Sequence, residues 1–160
     1  MHERFVKEAR DVAAGAHEEA RAHGSSTVEA EHVLLALARD SGGHAGEVLA
    51  RAGLDHAAVV EALESEFERT LATVGVSVGA LGTPPAVPFA GRPRFGASAT
   101  AALERALEVA RDRGDRRIES AHILLGVLRA REGTVPRALR GAGVDPAALA
   151  ADIHTAMAHV

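Results

Sequence analysis

Apolar positions recur at helical spacing along this chain, and the pattern begins again halfway through. Phe5, Ala9, Val12, Ala13, Ala16 and Ala20 share one face of a helix, while Glu8, Arg10, Asp11, Glu18, Glu19 and Arg21 take the remainder. This predicts a first helix from near Glu3, stopped by Gly24. Val33, Leu34 and Leu37 predict a buried face on a second helix, about Ala30 to Arg39. Ser41, Gly42 and Gly43 break the chain. A short third helix, about Ala45 to Ala52, ends at Gly53. Asp55 is a good N-cap for a fourth, about His56 to Leu71.

Sliding the sequence by 90 positions aligns residues 5–59 with 95–149 without a gap, giving 19 identities in 55 pairs. Phe5 meets Phe95, and Gly24 meets Gly114. The stretch from Glu29 to Leu35 meets Glu119 to Leu125, and Ala52 to Asp55 meets Ala142 to Asp145. In the second copy Asp145 is followed by Pro146, a capping residue and then proline at the first helical position. One supersecondary unit is therefore used twice. Neither copy buries much alone, so the two are expected to pack about a pseudo-twofold axis. The expected fold is all-α: a single domain over residues 1–160, with four-helix repeats at 1–72 and 95–160. The connecting stretch 73–94 holds four glycines and four prolines. Its composition and length mark it as a mobile linker. Phe5, Leu34, Leu35, Leu49, Phe95, Leu124, Leu125 and Leu139 recur at equivalent positions and are expected in the core.

Composition narrows the function. The 160 residues are 47% hydrophobic, enough for a core, and include 35 alanines. Aromatics are only 2%, with four Phe and no Tyr or Trp, which disfavours base-stacking nucleic-acid modules. A net charge of −4 is a poor basis for gripping phosphate backbones, so no nucleic-acid partner is expected. Cysteine is absent, which excludes disulfides, thiol catalysis and cysteine-ligated zinc. No apolar run approaches the roughly 18 residues of a membrane span, and the start, Met1-His2-Glu3-Arg4, lacks a signal-peptide core. A cytoplasmic protein with no membrane partner is expected.

The usual catalytic constellations are missing. Lys7 is the only lysine and no Gly-Lys-Ser/Thr follows a glycine-rich loop, so neither ATP binding nor ATP hydrolysis is expected. There is no G-x-S-x-G or H-E-x-x-H. Most of the nine histidines lack a partner at ligand spacing, and no metal or other cofactor is expected. His32 and His122 are repeat-equivalent at the start of the second helix. A neutral imidazole there can accept from a backbone N–H, which points to a structural role. Glu31 lies in the first turn of the same helix, where the macrodipole favours a carboxylate. It could also receive a guanidinium bidentately. Its repeat equivalent is Ala121.

These motifs resemble a known family. Glu3-Arg4-Phe5, a helix, and then the run Glu29 to Leu37 look like the Clp amino-terminal repeat domain, as does the second copy from Phe95 through His122 to Arg129. Glu31-His32 and Gly126 fit the family's second-helix pattern. The resemblance covers nearly the whole chain except the linker. It implies two four-helix repeats and a docking role, in which the domain brings substrates and adaptors to a Clp ATPase without catalysis of its own. In ClpC-like members it also implies phosphoarginine recognition, by a Glu in each second-helix motif and a Thr after each leading aromatic. Here Glu31 keeps the first Glu, Ala121 replaces the second, and Val6 and Gly96 stand in the Thr positions. The resemblance thus implies at most weak, single-site phosphoarginine binding.

The expected function is a non-enzymatic interaction module of the Clp chaperone–protease system. Its partners are client proteins, adaptors or a Clp ATPase, and its candidate ligand residues are Glu31, Phe5 and Phe95. The phenylalanines would flank an apolar groove between the repeats. Read as complete at Val160, the chain would be a stand-alone adaptor or decoy. The alternative is a helical dimerisation or regulatory domain unrelated to proteolysis. The basic run Arg111 to Arg117 is its best support, although cations also suit a helix end.

Overall fold

The computed structural model describes residues 5–39, 43–77 and 86–158. Eight helices occur among them. Repeat one contributes α1 (Lys7–Ala22), α2 (Ala30–Arg39), α3 (Gly43–Arg51) and α4 (His56–Thr73); repeat two contributes α5 (Ala97–Arg113), α6 (Ser120–Leu128), α7 (Thr134–Gly141) and α8 (Pro146–Ala158). The all-α architecture of two matched repeats stands. Asp55 caps α4 by accepting the Ala58 N–H at 2.8 Å. Gly114 ends α5 in the left-handed region at φ 76°.

The first helix begins at Lys7 rather than near Glu3, because Phe5 and Val6 are extended. Phe5 forms a parallel bridge with Ile118, and the Val6 N–H donates to the Ile118 carbonyl at 3.1 Å. The second copy does the same in reverse. β1 (Thr27–Val28) and β2 (Arg94–Phe95) pair in parallel, with Val28 opposite Phe95. Each repeat's leading aromatic thus crosses to the other repeat, a feature that helical periodicity cannot reveal.

α2 and α6 form the centre. α1 packs on α2 and α5 on α6, while α3 packs on α8 and α4 on α7 across the repeat boundary. One continuous apolar core results, running from Val12, Leu34 and Leu49 to Leu124, Leu139 and Ile153. Leu34, Leu35, Leu49, Leu124, Leu125 and Leu139 are buried as expected. Two assignments are corrected: Phe5 is only half-buried, and Phe95 is 38% exposed. Both sit on the bridging segments, at the margin of the core.

The connection between repeats is partly tied down. The Phe89 N–H donates to the Arg21 carbonyl at 2.9 Å, and the Arg94 N–H to the Ser26 carbonyl at 3.0 Å. The expected mobility of its middle part, residues 78–85, falls outside the described residues, as do Asp40, Ser41 and Gly42 of the first Gly-rich break.

Gly126 shows how closely α5 and α6 approach. A Cβ at this position would overlap the Ala102 carbonyl and crowd the Ala106 nitrogen, both backbone atoms that cannot rotate away. In repeat one the equivalent residue is Ala36, and there Gly15 on the opposing helix leaves the room. Gly126→Ala is therefore expected to destabilise the fold by about 1–3 kcal/mol through overpacking, despite alanine's better helix propensity. Urea denaturation is the check: an unchanged or raised midpoint would show that the two helices can separate freely.

Candidate functional site

Polar side chains hold the starts of α2 and α6. His32 and His122 each accept, through Nδ1, the N–H of the residue three before them, Glu29 and Glu119, at 2.9 Å. In repeat two this completes a capping box with histidine in the returning position, whereas in repeat one the Glu29 carboxylate turns to Ser98 and Thr27. The His122 Nε2 meets Asp115 at 2.9 Å. In repeat one Ser25 replaces that aspartate, and the His32 ring instead lies 6.2 Å from the His23 ring. Burial, reinforced by the neighbouring His23, lowers the His32 pKa to about 4, although Glu29 and Glu19 pull it the other way.

Across the seam the two repeats cap each other. The Glu8 carboxylate, on α1, accepts from the Ser120 N–H at 3.1 Å and from the Ser120 hydroxyl at 2.9 Å. On the other side Ser98 accepts the Ala30 N–H at 2.8 Å and donates its hydroxyl to Glu29 at 2.8 Å. Burial disfavours the ionised Glu29, but hydrogen bonds from Ser98 and Thr27 outweigh it and hold its carboxyl below the usual range. The same carboxylate fills the space beside Gly96, where a Cβ would overlap it. A carboxylate therefore stands at each seam.

Glu31 lies elsewhere, at one end of a cleft of about 660 Å³ between α2, α4 and α7. Leu35, Val60, Leu63 and Phe67 give it an apolar floor, and Glu31, Glu64, Glu66 and Glu68 are its acidic groups. Glu31 is half-buried, and desolvation raises its pKa, aided by the nearby Glu29 charge; a hydrogen bond from Thr134 works against the rise. Its repeat equivalent Ala121 is 1% exposed. The corresponding place in repeat two is closed core, where an unpaired carboxylate would be costly. That accounts for the asymmetry seen in the sequence.

Glu66 joins the cleft's two helices. It is 5% exposed and accepts from Arg137 of α7 at 2.7 Å, from Arg69 at 3.1 Å and from Thr70 at 3.1 Å. Burial opposes its charge, yet these donors keep its carboxyl below the ordinary range. The Arg69 guanidinium also lies over Gly141, where any side chain would displace it.

The structure does not bring the three sequence-derived candidates together. Neither Phe5 nor Phe95 lines the cleft that holds Glu31. Phe95 instead meets the His17 ring edge-on, with centroids 4.8 Å apart. Sequence reasoning missed Leu63, Glu64, Phe67 and Glu68. They lie beyond the 5–59 stretch whose self-match drew attention. Among the described residues there is no group of His, Asp and Glu arranged to hold a metal ion, and no helix long and apolar enough to cross a membrane.

Comparison with known proteins places this architecture. Residues 4–86 and 94–160 match the Clp repeat (R) N-terminal domain, and the chain belongs to that family. It is similar to the chloroplastic chaperone protein ClpC1 of Oryza sativa subsp. japonica, with 36% identity over 146 residues, covering 91% of this chain and 14% of the relative. A chloroplastic ClpA homolog of Brassica napus matches at 36% over the same share of this chain and 15% of its own length. The chain thus spans about one seventh of these curated relatives. Among solved structures, the N-terminal domain of the chaperone ClpD from Arabidopsis thaliana aligns with a TM-score of 0.68 at 22% identity, covering 97% of this chain and 95% of that one. The Hsp104 N-terminal domain from Candida albicans aligns at 0.61 and 19%, covering 93% and 88%. These likenesses at low identity concern the fold.

Proposed function

We propose that this chain is a non-enzymatic docking module, which holds protein segments or adaptors for a Clp-type ATPase. Membership of the Clp N-terminal family carries the reading, and the open cleft beside Glu31 supports it. The module comprises residues 1–72 and 95–160, with 73–94 as the connection, and it works in the cytoplasm. Acting by itself it would serve as an adaptor or decoy; joined to an ATPase ring it would serve as that ring's docking platform. The test mixes the full chain with a permanently unfolded, carboxymethylated protein carrying a fluorophore and follows anisotropy. Saturable binding without nucleotide is expected. Absence of binding, or saturable binding of magnesium-ATP in a calorimeter, would overturn the proposal.

Glu31 is the residue proposed to receive a guanidinium. Phosphoarginine is expected to bind weakly and at one site, because Val6 and Gly96 offer no hydroxyl and the Glu29 and Glu8 carboxylates repel a phosphate. Losing one of two charge-assisted contacts costs about 1.5–3 kcal/mol, or about one to two decades in affinity. Calorimetric titration of the unmodified chain and of Glu31→Ala is the measurement. Two tight sites, or binding indifferent to Glu31→Ala, would refute the assignment. Phe5 and Phe95 are proposed as apolar contacts for a peptide running along the bridges, with Phe95 the more accessible.

A further inference from the structure

The repeat supplies its own internal comparison. Val59 on α4 and its equivalent Leu149 on α8 are both buried, at 1% and 2% exposure. One turn later the copies diverge: Ile153 is 0% exposed, whereas its equivalent Leu63 is only half-buried. After another turn Met157 is 9% exposed and its equivalent Phe67 is 61% exposed. The helix pairings are alike in the two copies, α8 on α6 and α3 and α4 on α2 and α7, and in repeat two the side chains of this face are buried between them. Repeat one leaves it open as the cleft, with Glu31 at the position where repeat two has the buried Ala121. An apolar stripe that is core in one copy is therefore uncovered in the other.

The charges around it indicate what covers it. Along α4, Val60, Leu63 and Phe67 alternate with Glu64 and Glu68 at helical spacing, so the apolar stripe runs beside an acidic one. Glu31, Glu64 and Glu68 form no ion pair among the described residues. Arg137, the arginine in the lining, is already engaged with the buried Glu66. The cleft thus offers an apolar floor and unmatched negative charge. An acidic or neutral apolar segment would cover the floor and leave the carboxylates unpaired; a cationic one satisfies both.

We propose that the α2–α4–α7 cleft docks a cationic amphipathic helix, whose large apolar side chains cover Leu63 and Phe67 while its Arg or Lys residues pair with Glu64 and Glu68. This rests on the docking-module reading and names its surface. Helix-in-groove recognition anchors on residues at such spacings, and large aromatic anchors carry much of the affinity.

The experiment titrates the isotope-labelled full chain with a synthetic amphipathic peptide of about 14 residues, Leu on one face and Arg on its flanks, and with its Glu-for-Arg counterpart. Nuclear magnetic resonance then maps the amides that shift. The Arg peptide is expected to bind saturably, perturbing Leu35, Val60, Leu63 and Phe67. The Glu peptide should bind at least about tenfold more weakly. Phe67→Ser should weaken the Arg peptide about tenfold or more while leaving the spectrum's dispersion intact, since Phe67 is exposed. Glu64→Gln with Glu68→Gln should flatten the salt dependence. Equal binding of both peptides, perturbation centred elsewhere, or indifference to Phe67→Ser would overturn the proposal. Cleft shifts that grow with chain concentration alone would assign the face to a second copy, and would also overturn it. Unfolded-protein binding that survives Phe67→Ser would remove this cleft and leave the docking function standing; loss of all unfolded-protein binding by the unmodified chain would remove both.

Discussion

Leu34→Ala, and separately its repeat mate Leu124→Ala, should each lower the unfolding free energy by about 2–5 kcal/mol. Both side chains are essentially inaccessible, at 1% and 0% exposure, and lie on the two central helices. Each truncation removes several buried methyl groups and leaves a void that α1, α2, α5 and α6 cannot all close at once, because backbone approach is already tight at Gly15 and Gly126. For a chain of this size, about 1 kcal/mol corresponds to about 2–4 °C in midpoint temperature. Either variant should therefore melt several degrees early by circular dichroism. The core is continuous through both repeats, so each variant should still unfold in one transition. Two separated transitions, with only the mutated repeat shifted, would show that the repeats are independent units. Phe95→Ala is the contrast. Its ring is 38% exposed and touches His17 at the margin, so its cost should be clearly smaller.

Much of this fold could be read from the residues because helical signals are local. Periodicity, the glycines at helix ends and Asp55 all act within a few positions, and each placed its element to within a few residues. Phe5 and Phe95 show where that reasoning stops. Identity across the repeat marked them as equivalent, and hydrophobicity suggested core. Their actual place depends on each repeat's first residues pairing with the other repeat, at Ile118 and at Val28. The site follows the same division. A neutral histidine accepting a backbone N–H at the second helix is a local motif, and it is present in both copies. The cleft is not local. Both fourth helices pack on their own second helix and on the other copy's third, and the copies part only in how deeply the side chains between them are buried, Leu63 and Phe67 against Ile153 and Met157.

His32 should make stability fall on acidification. Its pKa of about 4 in the folded chain lies below the ordinary 6.5, because burial and the neighbouring His23 disfavour the imidazolium. The hydrogen bond that Nδ1 accepts from the Glu29 N–H also requires the unprotonated ring. Below pH 6.5 the unfolded chain takes up a proton at this position and the folded chain does not, so unfolding gains. The contribution is fully present above pH 6.5, declines through pH 5 and is exhausted near pH 4. Its total is about 3 kcal/mol, of which about 2 kcal/mol is gone by pH 5. Carboxylates act in a different window. Glu29, Glu66 and Asp115 are held below their ordinary values of 4.5, 4.5 and 3.8, so their stabilisation is lost only in more acidic solution. Glu31, raised above 4.5, works in the opposite sense, since protonation relieves its buried charge. Exposed His154 is lowered by partial burial and by Arg113 and Arg129, and it adds to the His32 slope in the same sense. Urea unfolding at a series of pH values between 7 and 5 tests this. His32→Gln should be less stable at pH 7 yet show a distinctly flatter decline, whereas His154→Gln should keep most of the slope. A His32→Gln profile parallel to that of the unmodified chain would mean that the imidazole protonates freely in the folded state and that its cap on α2 opens with it.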